Sequence, residues 1–163
     1  MEKVSAFLRR KDIVFSPKRY FIDAMSAMAQ GLFCTLLVGT ILNTLGTQLH
    51  IGFLTDIIVT LGKGDGAVRY TIGGLCSAMV GPGMAVAIGQ ALNAPPMVLF
   101  SLIPVGFATN AMGGAGGPLA VLFVAIIAAE IGKAVSKETK IDILVTPIVT
   151  LSLIHISEPT RPY

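Results

Sequence analysis

Apolar positions in this chain arrive in blocks too long for the strands or amphipathic helices of a soluble domain. From about Ala24 to Leu45 nearly every residue is apolar or small, and about 20 such residues cross the hydrocarbon core of a bilayer. A second block runs from about Thr71 to Leu92. Ala94-Pro95-Pro96 then stops the helix, and a short apolar run, Met97 to Phe107, carries Pro104. A further block, Leu119 to Val135, follows Pro118, a residue suited to a first helical turn. Ile141 to Thr150 begins one more span. Crossings are therefore expected at 24–45, 71–92, 97–107 and 118–135, and the fold class is all-α, a polytopic membrane helical bundle with broken or re-entrant segments.

Finer periodicity predicts how these spans pack. Ala27, Gly31, Thr35, Gly39 and Asn43 recur every fourth residue, and Gly73, Ser77, Gly81, Ala85 and Gly89 repeat the device in the second span. Lipid supplies no hydrophobic drive for helix association, so small-residue ridges that let backbones approach mark neighbouring helices. Pro82, between two glycines, should kink or break the second span. Ile51 to Leu61 is too short to cross and reads as a re-entrant or interfacial segment ending at the turn-like run Gly62 to Gly66. Residues Met1 to Arg19 form a basic amphipathic head, with Val4, Phe7 and Leu8 at helical spacing, as in a helix lying on the headgroups. It is not a secretory signal, because the apolar stretch behind it is long enough to span.

Composition sharpens the membrane reading. Charged residues make up 13% of the chain and the mean hydropathy is +0.78, whereas soluble domains carry about 25% charge. Between Arg69 and Glu130 there is no Asp, Glu, Lys or Arg. The net charge of +3 sits beside the apolar spans, which points to membrane orientation and away from nucleic acid. By the same rule the head and the Lys133–Lys140 loop are both expected on the cytoplasmic side, with Lys63 and Arg69 outside. Cys34 and Cys76 fall inside apolar stretches with no spacing motif, so they read as small buried hydrophobes.

The candidate chemistry is sparse. Asn110 to Pro118 is rich in glycine and free of charge, and irregular backbone at membrane depth survives only where protein buries it or it lines a cavity. Transporters use such broken helices at the substrate site, so Gly113, Gly114, Gly116 and Gly117 could offer backbone groups and Asn110 an amide to a polar ligand. The alternative is an external loop. Gln90 and Asn93 could hydrogen-bond a sugar or bridge helices. Glu130 is a candidate as an intramembrane acid, although Lys133 three residues on makes an ion pair the simpler role. Asp23 should pair in the same way with Arg19. No phosphate-binding loop, zinc spacing or serine-nucleophile motif is present, so no catalytic residue, metal or cofactor is assigned.

The last residues stand apart. Leu151 to Arg161 is identical, residue for residue, to a reading frame of a common transposase sequencing adapter. The natural sequence is therefore expected to stop near Thr150. Residues 151–163 then form a non-native tail outside fold reasoning, and His155, Glu158 and Arg161 carry no function.

Three runs carry a family resemblance: Gly81-Pro82-Gly83-Met84-Ala85-Val86-Ala87, Asn110 through Ala120, and Lys137-Glu138-Thr139-Lys140-Ile141-Asp142-Ile143-Leu144-Val145-Thr146-Pro147. Together with Arg9-Arg10-Lys11 and Ser16 to Phe21, they resemble the bacterial phosphotransferase-system enzyme IIC-like membrane proteins, which include perfringolysin-regulator-like proteins. The resemblance covers Met1 to Thr150 and makes residues 1–150 the N-terminal part of such a domain. The Gly-x-Thr-Glu type of motif associated with glucose-class enzyme IIC is absent. The resemblance implies a sugar-translocating subunit in the bacterial plasma membrane, whose sugar is phosphorylated by soluble IIB and IIA partners. Membrane lipid is a further partner, a homodimer stays open, and nucleic acid is not expected. A membrane-embedded ligand sensor or regulator that does not transport is the second reading, and a transporter of another class the third.

Overall fold

The computed structural model describes residues 2–13, 16–62, 67–136 and 142–154. It is helical apart from one small hairpin, and the all-α membrane bundle expected from the hydrophobic blocks is what the chain forms. The basic head is helix α1 (Glu2–Arg10). Residues Lys18–Gln48 make one continuous helix of 31 residues, long and apolar enough to cross a membrane. Its α-helical parts, α2 (Ala24–Leu32) and α3 (Val38–Gln48), flank a wider π-helical stretch at Phe33–Leu37. Within this helix the Thr35 hydroxyl donates to the Gly31 carbonyl at 2.8 Å, so its polar group is satisfied inside the helix as an apolar surround demands.

Ile51 to Leu61 does not re-enter as a helix. It makes a single turn, α4 (Gly52–Thr55), and then strand β1 (Val59–Leu61), which pairs antiparallel with β2 (Val68–Tyr70) in the register Val59↔Tyr70, Thr60↔Arg69 and Leu61↔Val68. The β-branched run Ile57-Ile58-Val59-Thr60 favours the extended state, which a count of apolar residues does not distinguish from a short helix. Gly62, with φ 95°, leaves the strand in a conformation open to glycine. The rest of the proposed turn, 63–66, lies outside the described residues.

The second span is broken as Pro82 predicts. Helices α5 (Ile72–Ala78) and α6 (Val80–Ala91) meet at an angle of 51°. The break falls at Met79, beside the Ala78 carbonyl that proline at position 82 cannot serve. Thr71 caps α5, its hydroxyl accepting from the Gly74 amide at 3.1 Å.

The helical run from Pro96 to Val135 is 40 residues long, yet it is not one rod. A Cβ at Gly132 would lie 2.7 Å from Val98, while a straight helix would hold those residues about 50 Å apart. The run is an antiparallel hairpin of α7 (Pro96–Gly113) and α8 (Gly117–Val135) around one tight turn, Gly114–Gly116. This corrects the expected 97–107 crossing. Helix α7 continues through Pro104 to Gly113 because peptide groups at membrane depth have no better partners than those within the helix. The irregular backbone shrinks to the turn itself, where Gly114 takes φ 51°. The last helix, α9 (Asp142–Ser152), packs on α7 and α8, with Thr146 and Thr150 fully buried.

Small residues set the spacing of the bundle. Gly39 meets Gly73, so the two ridges do touch at that level. Past the 51° bend they separate. Gly81 and Gly106 press backbone to backbone, Gly89 faces Leu99 and Leu102, and Gly83 turns to Gly31 and Thr35 instead. Met84, Ile88, Leu92, Val98, Leu102 and Val121 fill the core between α6, α7 and α8. Phe21, Phe33, Phe100 and Phe123 all point outward, Phe100 at 67% exposure, a surface suited to lipid and not to water. Cys34 shares that outer face instead of being buried, and Cys76 is half-buried; both are free thiols.

Candidate functional site

The sequence-derived candidates fall at two opposite ends of the bundle. At one end is the α7–α8 turn. Asn110 sits on the last turns of α7, half-buried, with its Cβ against Gly81 and its side-chain oxygen against Gly117. Its amide is thus wedged between the starts of α6 and α8, in the gap that two glycines leave open. Gly117 is buried, Gly113 half-buried, and Gly114 and Gly116 are exposed with open space where side chains would stand. Beside Asn110, Thr109 is fully buried and its hydroxyl has no hydrogen-bond partner. Composition did not single out that threonine, because one hydroxyl in an apolar helix usually bonds back to its own carbonyls.

Gln90, Asn93 and Glu130 lie at the other end. Helix α6 runs antiparallel to α7, since Gly81 meets Gly106 and Gly89 meets Leu99. Asn110 lies against Gly81 and Gly117, so at about 1.5 Å per residue along α6 and α8 the trio stands roughly 13–20 Å from it. Gln90 and Asn93 are exposed there. Glu130 pairs with Lys133, whose ammonium is 3.0 Å from Glu130 Oε2 and donates to Oε1 at 3.0 Å.

That end holds a polar network whose other members local spacing did not reveal. Lys133 is 2% exposed and its ammonium also donates to the Asp12 carbonyl at 3.0 Å and the Leu92 carbonyl at 2.9 Å. Three donors meet three acceptors, which is how a buried lysine keeps its charge. Arg19 donates to Asp12 Oδ2 at 2.6 Å and to the same Leu92 carbonyl at 2.8 Å. The expected partner, Asp23, is exposed and not engaged by this guanidinium. Leu92 caps α6, so two cations meet the negative end of that helix. Asn93 donates to Asp12 Oδ2 at 3.0 Å, and both residues adopt positive φ, which Asn and Asp tolerate. The Arg19 guanidinium first, and then the Asn93 amide, hold the Asp12 carboxyl at about 2. Lys11 donates to the Ser136 carbonyl, tying the head to the end of α8. Pairings across 73 and 121 residues of chain leave no mark at helical spacing.

An outward apolar shell, a bent span and a glycine-tipped helical hairpin together define a membrane protein. The chain belongs to the family described as Phosphotransferase system, EIIC, whose model matches residues 22–157. It is thus a membrane transport component of a sugar phosphotransferase system. No curated protein and no solved structure matches the chain.

Proposed function

We propose that the chain is the sugar-translocating IIC subunit of a bacterial phosphoenolpyruvate-dependent phosphotransferase system. It would act as a multi-pass protein of the plasma membrane with its N-terminus cytoplasmic, its sugar phosphorylated by a separate soluble IIB. The family match over residues 22–157 carries this reading. The geometry agrees with it: the head and the end of α8 meet at one face of the bundle, the face that the positive-inside rule assigns to the cytoplasm.

We place the sugar contact at Asn110 and the backbone of Gly113, Gly114, Gly116 and Gly117. A neutral sugar needs directional hydrogen bonds in a site poor in charge, and Asn110 is the amide that helix packing presents there. Gln90, Asn93 and Glu130 belong to the opposite, cytoplasmic mouth. The test is phosphorylation-coupled uptake of a panel of radiolabelled hexoses, pentoses and disaccharides by vesicles carrying the full chain and a phosphorylated IIB protein. Accumulation of sugar phosphate that depends on both proteins supports the proposal. Saturable sugar binding with no uptake would instead make the chain a membrane-embedded sensor.

A further inference from the structure

Large apolar side chains stand exposed along the connection between the first span and α5. The span ends at Gln48 and α5 begins at Ile72. Between them Phe53 is 70% exposed, and Leu49, Ile57 and Ile58 are exposed too. The hairpin adds a two-sided surface. Residues directly opposite in an antiparallel pair share a face, and successive residues alternate between faces. Val59, Tyr70, Leu61 and Val68 therefore lie on one side, and Thr60 and Arg69 on the other.

The apolar side is covered at one end only. Val59 and Tyr70 are half-buried, and the Tyr70 ring comes within 3.8 Å of the place a Cβ on Gly74 would take, in the first turn of α5. One pair further along, Leu61 and Val68 are 53% and 50% exposed. Among the described residues the face thus runs on past α5 with its outer pair uncovered. The outer wall of the first span adjoins this segment. Helix α4 packs on the last turns of that span, where Gly46 admits Leu54 and Thr55, and Leu45 and Leu49 are exposed there.

Two constraints fix the depth of such a hairpin. The sheet has two strands, so each keeps an outer edge of N–H and C=O groups that hydrocarbon cannot satisfy. Exposed large apolar side chains, conversely, are driven out of water. We propose that the hairpin is an interfacial anchor, lying at the level of the lipid headgroups. Leu61, Val68 and Phe53 turn into the acyl boundary, and Thr60 and Arg69 face the headgroups and water. Lipid is the occupant because the uncovered pair continues the lipid-facing wall of the first span, and because both ends of the connection are tied to spans where these leave the bilayer. This placement is independent of which solute the bundle carries.

The chain contains no tryptophan, so a single introduced one reports alone. The full chain is reconstituted in phosphatidylcholine vesicles, and fluorescence quenching by lipid brominated near the headgroup end of its acyl chains is compared with quenching by acrylamide in the water. Brominated lipid should quench Leu61→Trp about threefold more than Thr60→Trp, and acrylamide should show the reverse order. Val68→Trp, on the same face as Leu61, serves if Leu61→Trp does not fold. Equal acrylamide quenching on the two faces would place both in water and overturn the proposal. Quenching of the Leu61 face by neither agent would overturn it as well, since protein, such as a second copy of the chain, would then cover that face. Lipid quenching as strong at Thr60 as at Leu61 would sink the hairpin below the interface and contradict it equally.

Discussion

Single residues decide what the two ends of the bundle can do. Asn110 has its Cβ against Gly81 and its oxygen against Gly117, so truncation empties the wedge without disturbing the outer surface. Losing a buried hydrogen bond costs about 1–3 kcal/mol. Asn110→Ala is expected to weaken sugar binding roughly ten- to hundredfold, read by equilibrium dialysis, with membrane insertion intact. Gly114→Val should act at least as strongly. No neighbour would meet the new side chain, but the φ of 51° penalises it. Parent-like binding in both variants would leave the turn as a connector. At the other end Asp12 provides a pH signature. Its carboxyl is held at about 2 in the fold against an ordinary 3.8. Being lowered, it contributes stability that is complete above about pH 4 and lost as the pH falls toward 2. Asp12→Asn should therefore lower the melting temperature at neutral pH and flatten the acid limb between pH 4 and 2. Parallel curves for the two proteins would show that the pair contributes nothing.

At the scale of elements, glycines set how closely helices approach, and proline sets where they turn. Gly81 and Gly106 bring α6 and α7 into backbone contact, a proximity that no larger residue allows. Gly106→Val should destabilise the detergent-solubilised protein by about 1–3 kcal/mol through overpacking. Gly116→Ala, which meets open space, should change the melting temperature little. Equal effects from the two would mean that the helices slide apart at no cost. The 51° bend between α5 and α6 explains why an unbroken small-residue ridge in the second span serves two partners. Gly73 stays with Gly39 and Asn43, whereas Gly81 and Gly89 are handed to α7. Spacing alone reads both groups as one face, because a ridge drawn on a straight helix has no bend in it.

For the whole molecule, the head and the end of α8 share a face, as the four crossings we propose require. With Cys34 and Cys76 replaced, single cysteines at Arg9 and Lys137 should react with an impermeant maleimide from the same side of sealed vesicles, and one at Gly116 from the other. Opposite labelling of the first two would require an odd number of crossings. We also propose that residues 1–150 are the enzyme IIC-like unit and 151–163 an appended tail. Leu151, Leu153 and Ile154 pack against the core, and the family match runs on to residue 157, so the boundary calls for measurement. A chain ending at Thr150 should insert and melt like the parent. A large loss of stability would make those three residues part of the fold.

The sequence by itself determined the solvent this protein lives in, the rough positions of its spans, the break before Pro82 and the Glu130–Lys133 pair. Each depends on composition or on residues within one or two helical turns, where chain connectivity already fixes the distance. Tertiary structure alone decided that α7 runs on through Pro104 to Gly113, that β1 extends to meet β2, and that Asn110 stands at the opposite end of the bundle from Asn93. It also assembled Asp12, Arg19, Leu92 and Lys133 into one network. Those outcomes depend on which distant helices meet, and a backbone carbonyl such as that of Leu92, which receives both cations, has no side-chain signature by which sequence could announce it.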